Sequence, residues 1–568
     1  MANQFNSIFT RKPKRNKFNL SFENRFTAPI GKLVPVMTQE VIPGDKMFLN
    51  VENIIRMQPL AAPMMQRVDV SFHAFYVPNR LIWDEWESFI TGGQDGMEHP
   101  EKPTLSFQSN QDDGLAVPGS LLDYLGFPTL NDNDMKVDGF NSQVRYTAEP
   151  FLVYGKIWND YFRDQNLEDE IDLKAIVRDA NGSQGITYTR LLWYLHQQKF
   201  DFNNQTATPL DTLLNRSYPK DYFTSALPSP QRGAEVTVPL SGEGTVRWVP
   251  DPRSERGDAV RNPVTGSFVN VDNEARLNAD GTNNPIQRNL QADDADASID
   301  NSSHLRADLS TVGPTIVDLR RAFKVQEWEE KMSRGGSRYI EQILNFFGVR
   351  SSDARLQRAE YLGGIRNPIV VSPVYQTSQS MVEQGENSSA LGMFAGNGQS
   401  VSKGFLVKRH FEEHGWVMVL MSVTPKASYF QGLPKKYQRF DKLDYYWPQF
   451  AHIGEQVIGK NELLFDPAQP NGYDPGSDPG FGYSPRFAEY RFNNDEIHGE
   501  FKSNLAYWTM ARFLKGDPTL NANFIHINND DVNRVFAVDS ELAYPLICDI
   551  FLNCKMSRLI SRYGNPRL

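Results

Sequence analysis

The sequence predicts a mainly β protein, an antiparallel sandwich or jelly roll whose strands are separated by large helical and irregular loop insertions. Three observations predict it. Short runs of β-forming residues are scattered along the chain between long Pro/Gly/Asn-rich connections, and strands that far apart usually pair antiparallel. The chain carries 36 Phe, 22 Tyr and 9 Trp beside 35 Pro and 40 Gly. That mixture supplies large side chains for a core and for interfaces, joined by long packed loops. Only two cysteines occur, Cys548 and Cys554, too few for a disulfide framework or the usual Cys-based zinc site. The fold must stand without staples, which suits a reducing cytoplasm. Length alone, 568 residues, suggests about three or four domains.

The elements follow in order. Leu33–Glu40 and Lys46–Met57 read as strands. In VDVSFHAFYV, Val68 to Val77, apolar residues alternate with Asp69, Ser71 and His73, the pattern of a strand with one buried face. After Pro78, Asn79 is placed to cap a helix with Ile82, Trp86, Phe89 and Ile90 on one stripe, stopped by Gly92-Gly93. Pro118-Gly119-Ser120 opens a short helix that Gly126 closes. Ile157, Trp158, Tyr161 and Phe162 share a helical face, Arg190–Gln197 extends another, and Ile316, Leu319 and Phe323 begin a fourth. Ile340, Ile343, Leu344 and Phe347 make a fifth, with Gly348 at its stop. Further strands are expected at Val236–Leu240, Ile369–Tyr375, Phe405–Val423 as a pair, Phe487–Phe492, and Val535–Asn553 in pieces.

Charge is distributed unevenly. The chain has 59 Lys and Arg against 69 Asp and Glu, a net of −10, yet RKPKRNK near its start holds Arg11, Lys12, Lys14, Arg15 and Lys17 with no acid among them. Such an arm is a solvated tail, a short address sequence, or a contact with polyanion, since cations on a flexible arm neutralise phosphates without reading base sequence. No apolar stretch follows the cations as a secretory signal requires, and no run of about 18 apolar residues offers a membrane span. From Asp251 to Pro314 Phe268 is the single aromatic and QADDADASID is strongly acidic. That segment is expected to be an exposed loop or disordered, because it has little apolar area to bury.

Enzyme motifs are sparse. His410-Phe411-Glu412-Glu413-His414 matches H-x-x-E-H, in which two histidines bind zinc and a glutamate acts as base. That chemistry needs a helix to bring the histidines together. Here strands flank the motif, and Gly415 stands where a hairpin turn takes a residue of positive φ. A zinc hydrolase using His410, Glu413 and His414 remains one alternative, and a non-assembling carbohydrate-binding β-sandwich another. There is no phosphate loop, no dinucleotide fingerprint and no G-x-S-x-G elbow.

Several blocks carry a family resemblance. They are FHAFYVPNRLIWDEWESF, VPGSLLDYLGFPT (Val117–Thr129), YGKIWNDYFRDQNL (Tyr154–Leu167), DYFTSALPSPQRG (Asp221–Gly233), SRGGSRYIEQILNFFGV (Ser333–Val349), DARLQRAEYLGG (Asp353–Gly364), WPQFAHIGEQ (Trp447–Gln456) and FLNCK near the C-terminal end. Together, and in order from about residue 18 onward, they resemble the major capsid protein of microviruses, the small tailless phages with single-stranded circular DNA, and most of all its gokushovirus-like branch. The resemblance implies a viral jelly roll, without cofactor or catalysis, whose copies close into a T=1 icosahedral shell around the single-stranded DNA.

On that reading residues 1–20 form a basic arm, and residues 21–568 a single capsid domain with long insertions. By its place between the DYFTSALP block and the Ile316 helix, the insertion at 241–314 corresponds to the one that rises at the threefold axes in gokushovirus relatives. The arm's Arg11, Lys12, Lys14, Arg15 and Lys17 are expected to line the inner wall and contact nucleic acid, with Phe5, Phe9 and Phe18 near enough to stack on unpaired bases. Bracing of neighbouring subunits is the competing role. The implied partners are further copies of the chain, packaged single-stranded DNA, a small basic DNA-binding virion protein, a minor or pilot protein, and a host surface receptor met by exposed loops, with no membrane. The implied location is the virion, assembled in the bacterial host cytoplasm. The aromatic blocks Tyr154–Leu167 and Tyr437–Trp447 serve either the core or subunit contacts.

Overall fold

The computed structural model describes residues 14–106 apart from 94 and 96, 115–129, 145–199 apart from 183 and 184, 209–233 apart from 232, six short strands between 245 and 308, and residues 316–334, 357–375, 394–465, 480–538 and 544–563. Two compact units are present, one formed by residues 1–230 with 335–568, the other by 231–334.

Ten strands frame the first unit: β1 (Asn16–Asn19), β2 (Phe22–Ala28), β3 (Val34–Val41), β4 (Lys46–Met57), β5 (Val68–Pro78), β6 (Glu360–Pro368), β7 (Val370–Tyr375), β8 (Phe394–His410), β9 (Gly415–Pro425) and β10 (Leu546–Arg558). They make two antiparallel sheets. Sheet one has the order β1-β10-β4-β8-β7, with β2 pairing further along β10; sheet two has the order β6-β5-β9-β3. The chain changes sheet at six of the nine steps from one strand to the next. Buried residues of both sheets, among them Leu49, Val51 and Ile550 of sheet one and Phe72, Val419 and Val34 of sheet two, belong to one continuous core.

The side-chain pattern explains the strands. In β4 burial alternates without a break, with Met47, Leu49, Val51, Ile55 and Met57 inward and Lys46, Phe48, Ile54 and Arg56 outward, as a sheet with one solvated face requires. β9, WVMVLMSV at its centre, is buried almost throughout, as its continuous apolar run demands. β5 departs from expectation. Its alternating sequence implies one wet face, but every residue except His73 is buried, because helices of the insertion cover that face.

Those helices lie between β5 and β6. They are α1 (Trp86–Thr91), α2 (Glu149–Ile157), α3 (Leu173–Ala180) and α4 (Tyr188–Leu195), with a shorter one at Leu121–Tyr124. The first predicted helix forms only in part. Asn79–Leu81 is a single 3-10 turn, α1 starts at Trp86, and Ile90 lies half exposed, although Ile82 is buried as predicted. α2 continues as a π-helical turn, Trp158–Phe162. The Tyr154 hydroxyl donates to Leu33 O (2.8 Å) and accepts from Leu214 N (3.0 Å). Tyr161 donates to Ala359 O (2.6 Å), and Asp160 accepts from Ala359 N (2.8 Å). The helical layer is thereby pegged to the strands on either side of it.

Two histidines are enclosed by this layer. Rings of Phe75, Phe162 and Tyr361 surround His73 at 5.9–6.4 Å. Burial, then Arg216 and Arg366, holds its pKa down to about 4. Burial, then Lys32, does the same at His196, also to about 4. Both stay neutral in the folded chain well below 6.5, where an unfolded chain already takes up the protons. The unfolded state therefore binds more protons between pH 6.5 and 4, and stability falls as pH is lowered through that window. Denaturant midpoints between pH 7 and 4.5 check this: a His73→Gln/His196→Gln variant has a shallower decline, and an unchanged slope would contradict the assignment.

Between β9 and β10 lies a second insertion, 426–545, whose described residues form short turns, two short helices at Ala522–Ile525 and Asn529–Asn533, and a small hairpin, Glu455–Ile458 with Gly482–Pro485. The strand expected at Phe487–Phe492 is absent. Phe487 takes the left-handed conformation (φ 59°) and starts a 3-10 turn at Ala488–Tyr490, so its alternation cannot run as a strand. Of the strand expected in pieces over Val535–Asn553, the described part is β10, which starts at Leu546 and runs to Arg558, while 539–543 lie outside the described residues. β1, β2 and β6 were not foreseen.

In the second unit, Thr245–Val249 pairs with His304–Asp308, Ala259–Arg261 with Phe268–Asn270, and Arg276–Ala279 with Thr282–Pro285, all antiparallel. A loop or disorder was expected across 251–314. The described residues there form short ladders, since pairing satisfies backbone groups without needing many apolar side chains, and the rest of 251–314 lies outside the described residues. α5 (Ile316–Arg334) follows, with Val317, Phe323 and Trp328 exposed. The helix predicted over Ile340–Phe347 and the strand at Val236–Leu240 lie outside the described residues.

Candidate nucleic-acid interface and assembly surface

Of the five arm cations, Arg11 and Lys12 lie outside the described residues. Lys14, Arg15 and Lys17 are described and exposed. They do not behave alike. The Arg15 guanidinium donates to Gly44 O and to Ser557 O (3.1 Å), so it fastens the arm to the subunit's own backbone. Asn16 adds a bond from Nδ2 to Ile560 O (2.7 Å). From Asn16 onward the arm is strand β1, paired with Lys555–Arg558. Lys17 stands on its outward row, while Phe18 is half-buried opposite the buried Met556. The arm therefore braces its own subunit through Arg15 and offers Lys14 and Lys17 to solvent.

Arg15 meets a corner where four distant segments join. Asp45, fully buried in the β3–β4 turn, pairs with Arg558 Nε (3.1 Å) at the end of β10. Asp45 O accepts from Phe411 N (2.9 Å) and hydrogen-bonds His410 Nδ1 (3.0 Å).

That contact also fixes the H-x-x-E-H motif. His410 ends β8 and turns to Asp45. Glu413 accepts from Arg80 Nε (2.7 Å). His414 packs edge-on against Trp86 at 5.7 Å. The three side chains are engaged in three directions, and among the described residues no group of three or more His, Cys, Asp or Glu is placed to hold a metal ion. Gly415 has no positive φ, contrary to expectation. It is required by close approach instead: a Cβ there would meet Val77 O at 2.5 Å and the Tyr76 ring at 2.7 Å.

The two aromatic blocks part company. Tyr154, Ile157, Trp158 and Phe162 are core. By contrast Tyr437, Phe440, Tyr445 and Trp447 are about half to three-quarters exposed, 63%, 74%, 53% and 48%. Singly exposed apolar side chains are ordinary, but a contiguous run of large ones marks a contact surface. Sequence could not separate the blocks, because both read as aromatic-rich; the absence of a helical or alternating period in the second is the one available signal.

A β core bearing long insertions and a run of exposed aromatic side chains is the build of a subunit suited to meeting other chains. Comparison with known proteins names the kind. Residues 6–568 match the family described as "Capsid protein (F protein)". The chain is 31% identical to capsid protein VP1 of Chlamydia phage 1, covering 100% of this chain and 98% of that one. It is 32% identical to VP1 of Bdellovibrio phage phiMH2K (97% and 95% covered) and 30% identical to VP1 of Spiroplasma virus 4 (98% and 95%). The chain belongs to the capsid protein (F protein) family and is a structural major capsid protein of the virion, whose role is to assemble with copies of itself into a shell.

Proposed function

We propose that the subunit is a viral jelly roll that closes, as sixty equivalent copies in the T=1 arrangement, into a small icosahedral shell around single-stranded DNA, without catalysis. The observation that carries the reading is strand order. β2-β10-β4-β8 in one sheet and β3-β9-β5-β6 in the other is the order reached when four strand pairs are wound together as two Greek keys. Residues 21–568 then form one capsid domain, the 79–359 and 426–545 segments are insertions into it, and residues 241–314 are an exposed insertion that meets a host receptor. Assembly takes place in the host cytoplasm, where two buried thiols need no oxidant. A small basic virion protein and a pilot protein complete the particle. Electron microscopy of the purified product tests the reading: closed shells of one small diameter are expected, and a persistent monomer overturns it.

The Tyr437–Trp447 surface is assigned to contacts between copies. Phe440→Asp with Tyr445→Asp removes apolar contact area from solvent-facing positions, so it changes subunit stability by no more than about 0.5 kcal/mol while abolishing shells. Normal particle yield in that variant contradicts the assignment.

The arm is assigned to the inner wall, with Lys14 and Lys17 on packaged phosphates. Lys14→Gln/Lys17→Gln leaves shell yield intact and lowers the DNA retained per particle, measured as the absorbance ratio of purified particles. An unchanged ratio would remove the arm from the interface. Arg15 is excluded from this variant because its loss also frees the arm from Gly44 and Ser557.

A further inference from the structure

The outward face of sheet one carries a second cationic surface that no motif announces. Register places it. One row across the sheet is Asn19, Lys555, Phe48 and Lys408; the next is Lys17, Ser557, Lys46 and His410. Rows two residues apart lie about 7 Å from each other, and adjacent strands about 4.8 Å. Lys17, Lys46, Lys408 and Lys555 are exposed on four neighbouring strands and line one open groove of about 740 Å³.

None of the four ammonium groups has an acidic partner among the described residues, and no acid lines the groove. The neighbouring Arg409 is taken by Glu360 (2.7 Å), and His410 by Asp45 O. The acids of this face lie further along the strands and are already paired, Glu52 with Lys403 (2.6 Å), and both Glu23 and Asp549 (3.5 Å) with Arg25. In a chain of net charge −10, four lysines on adjacent strands with no acidic partner among the described residues suit an anionic ligand. Between Lys555 and Lys408 the Phe48 ring lies 39% exposed, and beside it stands Phe405, 53% exposed, with ring centroids 5.5 Å apart. Phosphate alone needs no such rings. Ammonium groups around exposed aromatic faces suit a strand whose bases are unpaired and free to stack.

We propose that this groove on the outward face of sheet one binds single-stranded nucleic acid, the lysines on successive phosphates and Phe48 and Phe405 under unstacked bases. It follows that this face of sheet one is the inner wall of the shell. The inference rests on the reading of the protein as a shell around single-stranded DNA. It also explains the course of the arm, since Lys17 is at once its last cation and the groove's first.

The test uses full-length subunit and a fluorescein-labelled oligothymidylate, read by anisotropy over a range of salt. Lys46→Gln/Lys408→Gln/Lys555→Gln is expected to weaken binding at least about tenfold and to flatten the salt slope by about 2, three lost contacts at about 0.7 each. Phe48→Ala is expected to weaken it about tenfold with the salt slope unchanged, and a duplex of the same length binds less tightly than the single strand. These substitutions are at exposed positions, and melting curves confirm the fold. Unaltered affinity in the triple variant overturns the proposal. So does equal affinity for duplex, or a groove that binds a peptide of residues 291–300 while leaving the oligonucleotide untouched. Particle formation is scored separately by microscopy: shells with no groove binding sink this inference alone, whereas absence of shells from the unsubstituted protein sinks the reading beneath it.

Discussion

Gly363→Val is expected to leave no soluble subunit. Gly363 of sheet two sits against the backbone of sheet one at Leu406. β6 has a bulge between Tyr361 and Gly363, and β8 has one between Phe405 and Val407. The bulged Leu406 of β8 directs its carbonyl oxygen at the space above Gly363, so a Cβ placed there would fall on that oxygen, deep inside van der Waals contact. Neither side can give way. Leu406 and its neighbour Val407 are buried, and the ladders on both sides hold the strands. Relief requires separating β6 from β8. Overpacking that displaces a side chain costs about 1–3 kcal/mol; here backbone must move, and the loss exceeds about 3 kcal/mol on the same scale. The measurement is soluble yield and, if any protein is recovered, its denaturant midpoint. A midpoint like that of the unsubstituted protein would show that the sheets do not meet here.

Arg558→Ala is expected to cost about 3–5 kcal/mol, the usual penalty for stripping the partner from a buried charge. Asp45 is fully buried. Its Oδ2 accepts from Ile42 N (3.1 Å) and faces Arg558, while Oδ1 has no hydrogen-bond partner. Without Arg558 the carboxylate keeps one backbone N–H and no cation among the described residues. Arg558 also donates to Glu40 O (2.6 Å), so β3, the β3–β4 turn and β10 loosen together. Adding Asp45→Asn removes the stranded charge, and the double variant is therefore more stable than Arg558→Ala alone. Urea midpoints of the single and double variants decide it; a double variant less stable than the single one refutes the charge argument.

Much of the strand framework was legible. Lys46–Met57 was read to its observed ends, and Val68–Val77, Leu33–Glu40 and the Phe405–Val423 pair fell on real strands, because alternating or continuous apolar runs report burial directly. What failed did so for identifiable reasons. EYLGGIRNP, β6, has two glycines and a proline and looks like a loop; it is a strand because β5 supplies a ladder and because Gly363 leaves room for Leu406. NKFN and FENRFTA, β1 and β2, are largely polar and take their order from β10, more than 500 residues away. The candidate interface was half visible. A local run such as RKPKRNK can be found by inspection, whereas Lys46, Lys408 and Lys555 are single residues that only register brings together. That Arg15 anchors the arm also could not be read, since the acceptors are backbone carbonyls at Gly44 and Ser557.

The place of β10 governs when a molecule can mature. It lies inside sheet one, flanked by β1 and β2 on one side and β4 on the other, yet it leaves the ribosome after every other strand. Until then β1 and β2 have nothing to pair with, and β4 shows a bare edge, which is a template for wrong partners. Ring closure over nearly the whole polypeptide also makes this a slow step. Translation that stops before Leu546 thus releases a product lacking a central slat, with β1 and β2 left without their ladder and one edge of β4 bare.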